Sequence, residues 1–219
     1  MDFSLLDTLI PALTFIGQGV LMTLTLLLGG LFLGLVLAVI WSIMRYRNMG
    51  TPVIKGLVSF LRGTPLILQL SFVYFAAPTL VGIKLDILGA GILTFGLNSG
   101  AYLSEILRSG LESLPKGQFE AAKTLQIPPY PLWKDIILPQ VIRAILPSLT
   151  NEAIALLKET ALISTIGGMD IMRRAQAVAA EKFTYFMPLC LAAVYYYGLV
   201  LLIEYIGKQI EKRGTYAAA

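Results

Sequence analysis

Residues 20–41 read VLMTLTLLLGGLFLGLVLAVIW, from Val20 to Trp41, without one charged side chain. A helix rises about 1.5 Å per residue, so this stretch is long enough to cross a hydrocarbon core of roughly 30 Å. Working outward, similar runs occupy about 20–43, 64–83, 87–106 and 183–203, each interrupted by few or no charges. The 219 residues are 57% hydrophobic and 14% charged, with a mean hydropathy of +0.77. A soluble domain could not solvate such a surface, so much of it must face lipid. The chain is expected to be an all-α membrane protein.

The same composition excludes several chemistries. There is no histidine, which removes histidine-based triads and proton shuttles and most transition-metal sites. Cys190 is the single cysteine and lies in an apolar run, so no intrachain disulfide can form. No Gly-x-x-x-x-Gly-Lys-Ser/Thr loop is present, so any ATP that drives the process must bind another polypeptide. Catalysis, cofactor binding and metal binding by this chain are therefore not expected. The net charge of +4 resides mainly in loops, where it reports topology rather than nucleic-acid binding. Asp2 and Asp7 stand where a signal peptide would be basic, so the first span is expected to be retained.

A segment from about 144 to 168 is apolar overall but carries Glu152, Lys158 and Glu159. Charges near a helix centre cost about 2.5–3.5 kcal/mol each on insertion scales, and hydropathy leaves this segment undecided. Arg45, Arg47 and Lys55 follow the first span, while Arg108, Lys116, Lys123, Lys134 and Arg143 follow the third. Both loops should be cytoplasmic, with the N-terminus and the turn at Lys84 and Asp86 outside. Counting basic residues does not decide between four spans and five. Arg173, Arg174 and Lys182 merely exchange sides with Lys208, Lys212 and Arg213.

The stretch from Arg108 to Arg143 is punctuated by Pro115, Gly117, Pro128, Pro129, Pro131 and Pro139, a pattern of short helices joined by turns. Gln118–Leu125 follows Gly117 without proline or glycine and reads as a helix of about two turns. A solvated linker is the plainer alternative.

Glu120-Ala121-Ala122 followed by Ile136-Ile137-Leu138-Pro139 resembles the EAA loop of bacterial ABC importer permeases. Leu61-Arg62-Gly63-Thr64-Pro65-Leu66, Asn98-Ser99-Gly100-Ala101-Tyr102-Leu103-Ser104-Glu105-Ile106 and Leu157-Lys158-Glu159-Thr160-Ala161-Leu162-Ile163-Ser164 resemble the polar amino acid branch of that family. The resemblance implies a type I importer permease with about five transmembrane helices in one inner-membrane domain over residues 1–219, and a cytoplasmic coupling loop at 114–138. It also implies an outside N-terminus and a cytoplasmic C-terminus. The implied partners are a cytoplasmic ABC ATPase dimer, a second permease chain (identical or paralogous), an extracytoplasmic amino-acid-binding protein and an amino-acid substrate. One residue departs from the pattern: Gln126 stands where the family commonly has glycine, which would make a left-handed turn easy. The Pro128-Pro129-Tyr130-Pro131 run offers another way to end the helix.

In physical terms, coupling to an ATPase needs a compact element that moves as one body. Ala121 and Ala122 permit close backbone approach, Phe119 and Leu125 offer apolar anchors, and Glu120 and Lys123 offer charges. Glu120 and Lys123 are also i, i+3 neighbours, for which a plain surface pair is the alternative. For translocation, Asn98, Tyr102 and Glu105 fall on one helix face, and Glu152 and Glu159 share a face of the undecided segment. Asn98, Tyr102 and Glu152 are the candidate substrate contacts, with Glu152 placed to meet an ammonium group. Interhelical hydrogen bonds, or pairing of Glu152 with Arg143 or Lys158, would be the structural alternative. Gly30-x-x-x-Gly34 and Gly96-x-x-x-Gly100 are small-residue packing motifs without an assigned partner. A stand-alone secondary transporter or channel is the rival function, but no inverted repeat of the spans is evident.

Overall fold

The computed structural model describes residues 3–216, with side chains described from residue 9 to residue 212 apart from Val81. Asp2 and the side chains of Asp7 and Arg213, used above for retention and orientation, lie outside the described residues. Helices α1 (Phe3–Gly17) and α2 (Gly19–Tyr46) lead to α3 (Thr51–Gly63). Next come α4 (Leu66–Ser71), a π-helical stretch Phe72–Ala76 and α5 (Ala77–Val81), then α6 (Ile87–Glu112). The polar loop holds α7 (Lys116–Thr124), the short turn α8 (Pro129–Pro131) and a π-helical stretch Leu132–Ile137. Helix α9 (Leu138–Glu159) runs into a 3-10 helix, Thr160–Ile166, and is followed by α10 (Ile171–Lys182) and α11 (Phe186–Tyr216). No strand occurs among the described residues.

Three helical stretches are long and apolar enough to cross a membrane: Leu9–Tyr46, Ile87–Glu112 and Phe186–Lys212. A fourth arises if the bent pair Thr51–Gly63 and Leu66–Leu80 counts as one broken span. Helix α9 is not among them, because Arg143, Glu152, Lys158 and Glu159 interrupt its apolar surface.

Helical structure ahead of the second apolar run begins earlier than hydropathy indicates. Lys55 and Arg62 make residues 51–63 look like loop, yet Ile54, Val58 and Leu61 recur on one face and are buried. They pack beside Trp41 of α2 and Ala101 of α6. Pro65 then disfavours helical backbone at Thr64, which is extended (φ −112°, ψ 146°), and the chain bends by 105°. Inside a membrane the carbonyls freed by such a break need partners. Leu61 O accepts from Asn98 Nδ2 (2.9 Å) and from Gln69 Nε2 (2.7 Å). Gln69 Nε2 also reaches Thr64 Oγ1 at 2.8 Å, so the elbow is tied on both sides.

Helix α6 is the hub of the bundle. The two small-residue motifs find each other, because a Cβ on Gly34 would lie 3.0 Å from Gly100 N and 3.3 Å from Gly96 O. Close backbone approach of this kind replaces the hydrophobic drive that is missing between helices in lipid. At the other end of α6, Ile145 of α9 occupies the space a side chain at Gly110 would need. Leu26, Leu27, Leu66, Leu70, Phe95, Leu156, Leu157, Ile163 and Ile166 form the central core.

The connection that follows Asp170 is helical. Asp170 caps α10 by accepting from Arg173 N (2.8 Å), and its second oxygen accepts from Tyr196 Oη of α11 (2.9 Å). Burial pushes this carboxyl up from the ordinary aspartate range, and those two hydrogen bonds oppose the shift.

Candidate functional site

Two regions carry the residues that the sequence singled out. The first lies between α6 and α9. Glu152 is only partly buried, and its Oε1 accepts from Ser99 Oγ at 2.8 Å. Among the described residues it makes no ion pair with Arg143, Lys158 or any other base, so the carboxylate is held by one neutral donor. A buried or half-buried carboxylate in that condition is suited to receive a further donor, and a cationic one best.

Asn98, a candidate substrate contact, also serves the fold. It is buried, and its amide is spent on the Leu61 carbonyl of the α3–α4 elbow. Tyr102 is 37% exposed and its ring lies 5.3 Å below the Arg62 guanidinium. Among the described residues no hydrogen bond joins the three candidates: Asn98 and Tyr102 lie on α6 and Glu152 on α9. Glu105, the third member of the α6 stripe, is consumed by arginines. Arg45 Nη1 lies 2.6 Å away, Arg108 Nη2 2.9 Å and Arg62 Nη1 3.8 Å.

Sequence reasoning missed Ser99, Gln69 and the three arginines. Ser99 had no signal of its own, since a 3.6-residue period puts it on the face beside Asn98. Gln69 carries one: a polar side chain in a span is expensive unless it is bonded, and here its Nε2 ties the elbow while its Oε1 is buried without a partner.

The second region is the loop. Helix α7 ends where expected, and Gln126 does adopt the left-handed conformation at φ 53°. Ile127 N donates to Ala122 O (3.0 Å) and Gln126 N to Lys123 O (3.2 Å), the paired bonds of a Schellman ending. The proline run is therefore not what ends the helix. Gln126 serves as the glycine would, at a steric cost.

Gln118 and Gln140 exchange amide hydrogen bonds at 2.8 and 2.9 Å, clamping α7 to the start of α9. Of the six coupling candidates, Ala122 is buried against the chain itself, whereas Phe119, Glu120, Ala121, Lys123 and Leu125 are exposed. Ile137, Val141 and Ile145 root this loop in the bundle beside Leu107, Leu111 and Trp133. A small, outward, mixed apolar and charged face on a rigid base is what a docking helix requires.

Comparison with known proteins adds descent to this geometry. Residues 30–215 match the family described as binding-protein-dependent transport system inner membrane component. The "Putative glutamine transport system permease protein GlnP" of Rickettsia typhi is 48% identical, over 93% of this chain and 94% of that protein. The arginine transport system permease protein ArtQ of Bacillus subtilis is 40% identical, over 97% of each. The crystal structure of an amino acid ABC transporter with histidines superposes with a TM-score of 0.85 at 30% identity, covering 97% of this chain and 99% of that one. The methionine ABC transporter MetNI, in an inward-facing form, shares the fold with a TM-score of 0.71 at 18% identity. The chain therefore belongs to the inner-membrane components of binding-protein-dependent transport systems.

Proposed function

We propose that this chain is the membrane-spanning subunit of an ATP-driven importer of polar amino acids. It works as a pair of permease chains, identical or paralogous, with two cytoplasmic ATPase subunits and an extracytoplasmic binding protein. In this reading residues 1–219 form one permease domain and 114–138 its coupling loop. The chain crosses the membrane five times, with the N-terminus outside, the C-terminus inside and α9 as the fourth crossing. The observation that carries the reading is the exposed face of α7, rigidly rooted in α9, in a chain related over nearly its whole length to amino acid permeases. Phe119, Glu120, Ala121, Lys123 and Leu125 meet the ATPase directly, and Ala122 seats α7 on its own domain. Glu152, with Asn98 and Tyr102 shaping the path, receives the substrate ammonium or a cationic side chain.

A secondary transporter or channel would have no use for the outward face of α7. Capture of the ATPase subunit by this chain tests the proposal. Glu120→Lys is expected to weaken assembly, because it reverses the charge at the centre of the docking face. Intact assembly and normal transport-coupled ATP hydrolysis in that variant would contradict the assigned role.

A further inference from the structure

Beside the Glu105 cluster lies an open pocket of about 610 Å³ at the end of the bundle that holds Tyr46 and Glu112. Arg45 of α2, Lys55 and Arg62 of α3, and Arg108 of α6 line it together with the carboxylates Glu105 and Glu112. Four bases face two acids, a surplus of two positive charges in one cavity. The pairing is uneven. Arg45 and Arg108 lie within 3 Å of carboxylate oxygens, and Arg108 reaches Glu112 at 2.6 Å. Arg62 reaches Glu105 only at 3.8 Å, and Lys55 has no ion pair among the described residues. Lys55 is thus left without a carboxylate and Arg62 holds one only at 3.8 Å, so both can attract an anion from outside the chain.

Helix α3 shows where that anion would come from. Its core face is Ile54, Val58 and Leu61. Val53, Leu57 and Phe60, at i, i+4 and i+7, are exposed and apolar. Lys55, Ser59 and Arg62, with the same spacing, line the pocket. One stripe suits acyl chains and the opposite stripe suits the polar boundary, the distribution of an interfacial helix. Basic pockets between spans at the cytoplasmic face are suited to anionic headgroups, because that leaflet carries negative lipid.

We propose that this pocket binds a phosphate group, presented by an anionic phospholipid or as free phosphate, with Lys55 and Arg62 as its principal ligands. The proposal rests on the orientation given above, which puts the pocket at the cytoplasmic surface. A bound phosphate would lend α3, and through the elbow α4, an external fixing point.

The test uses the full chain with its ATPase subunits in nanodiscs, comparing pure phosphatidylcholine with a phosphatidylglycerol mixture and reading the melting temperature. Anionic lipid is expected to raise it by about 3–6 °C. Lys55→Gln combined with Arg62→Gln should abolish most of that rise. Lys208→Gln with Lys212→Gln, which removes equal charge elsewhere on the same side, should leave it intact. Inorganic phosphate added to the neutral nanodiscs, against chloride at matched ionic strength, separates the sources. A rise there that needs Lys55 and Arg62 identifies the free anion, and its absence identifies the lipid. No rise with either probe, or a rise that survives in the Lys55/Arg62 variant, would overturn the proposal. ATPase capture on the same preparation reports separately on the importer reading.

Discussion

At Gln126 a single side chain sits in left-handed backbone, which costs a non-glycine residue about 1–2 kcal/mol. Gln126→Gly is therefore expected to stabilise the end of α7 by about 1 kcal/mol. Slower hydrogen exchange at the Ile127 amide would check it, since that amide closes the Schellman ending. Faster exchange would mean that the glutamine side chain contributes something the backbone account omits. The sequence identified the departure at this position. It could not say that the backbone would keep the glycine conformation anyway, because the bonds to Ala122 and Lys123 that hold it depend on the complete helix end.

Glu152 is the residue on which the proposed recognition turns. Because Ser99 is its hydrogen-bond donor and no base pairs with it among the described residues, glutamine at this position can still accept from Ser99. Glu152→Gln should therefore leave the melting temperature nearly unchanged. Uptake should fall by about 10–100-fold if the carboxylate meets a cation, as hydrogen bonds to charged groups contribute about 1.5–3 kcal/mol. Unchanged uptake together with unchanged stability would take Glu152 out of the path. Asn98 shows that a polar residue in a span can also serve the fold. The same cost that makes such a residue conspicuous is met here by the Leu61 carbonyl, 37 positions away, which no periodicity reveals.

Among the elements, α2, α6 and α11 were readable because long uncharged stretches leave few alternatives in lipid. Helix α3 was not, because its apolar stripes are divided between the core and the outer surface and its charges gather on the third side. The pairing of the two glycine motifs was likewise out of reach, since each motif states only that something comes close. Helix α9 tests the topology. If it crosses the membrane, α10 lies outside. Ala180 of α10 is exposed and is the labelling position. With the exposed Cys190 replaced by serine, Ala180→Cys should react with an impermeant maleimide in intact spheroplasts. Reaction only after lysis would mean that α9 does not cross.

For the whole molecule, the described helices form a bundle in which Glu152 sits on α9 and α7, the proposed docking helix, is clamped to the start of α9. In the proposed reading, a displacement of α7 by a partner reaches the helix that carries Glu152 directly, through the Gln118–Gln140 clamp. Exposed apolar residues along α2, α3 and α11 supply the surface that lipid and a second permease chain would cover. The most direct measurement reconstitutes this chain with its ATPase and binding protein in liposomes and follows labelled amino acids with ATP enclosed at the cytoplasmic face. The account predicts accumulation of a polar amino acid that requires both ATP and the binding protein and collapses with Glu120→Lys. Accumulation driven by an ion gradient in the absence of the ATPase would contradict it.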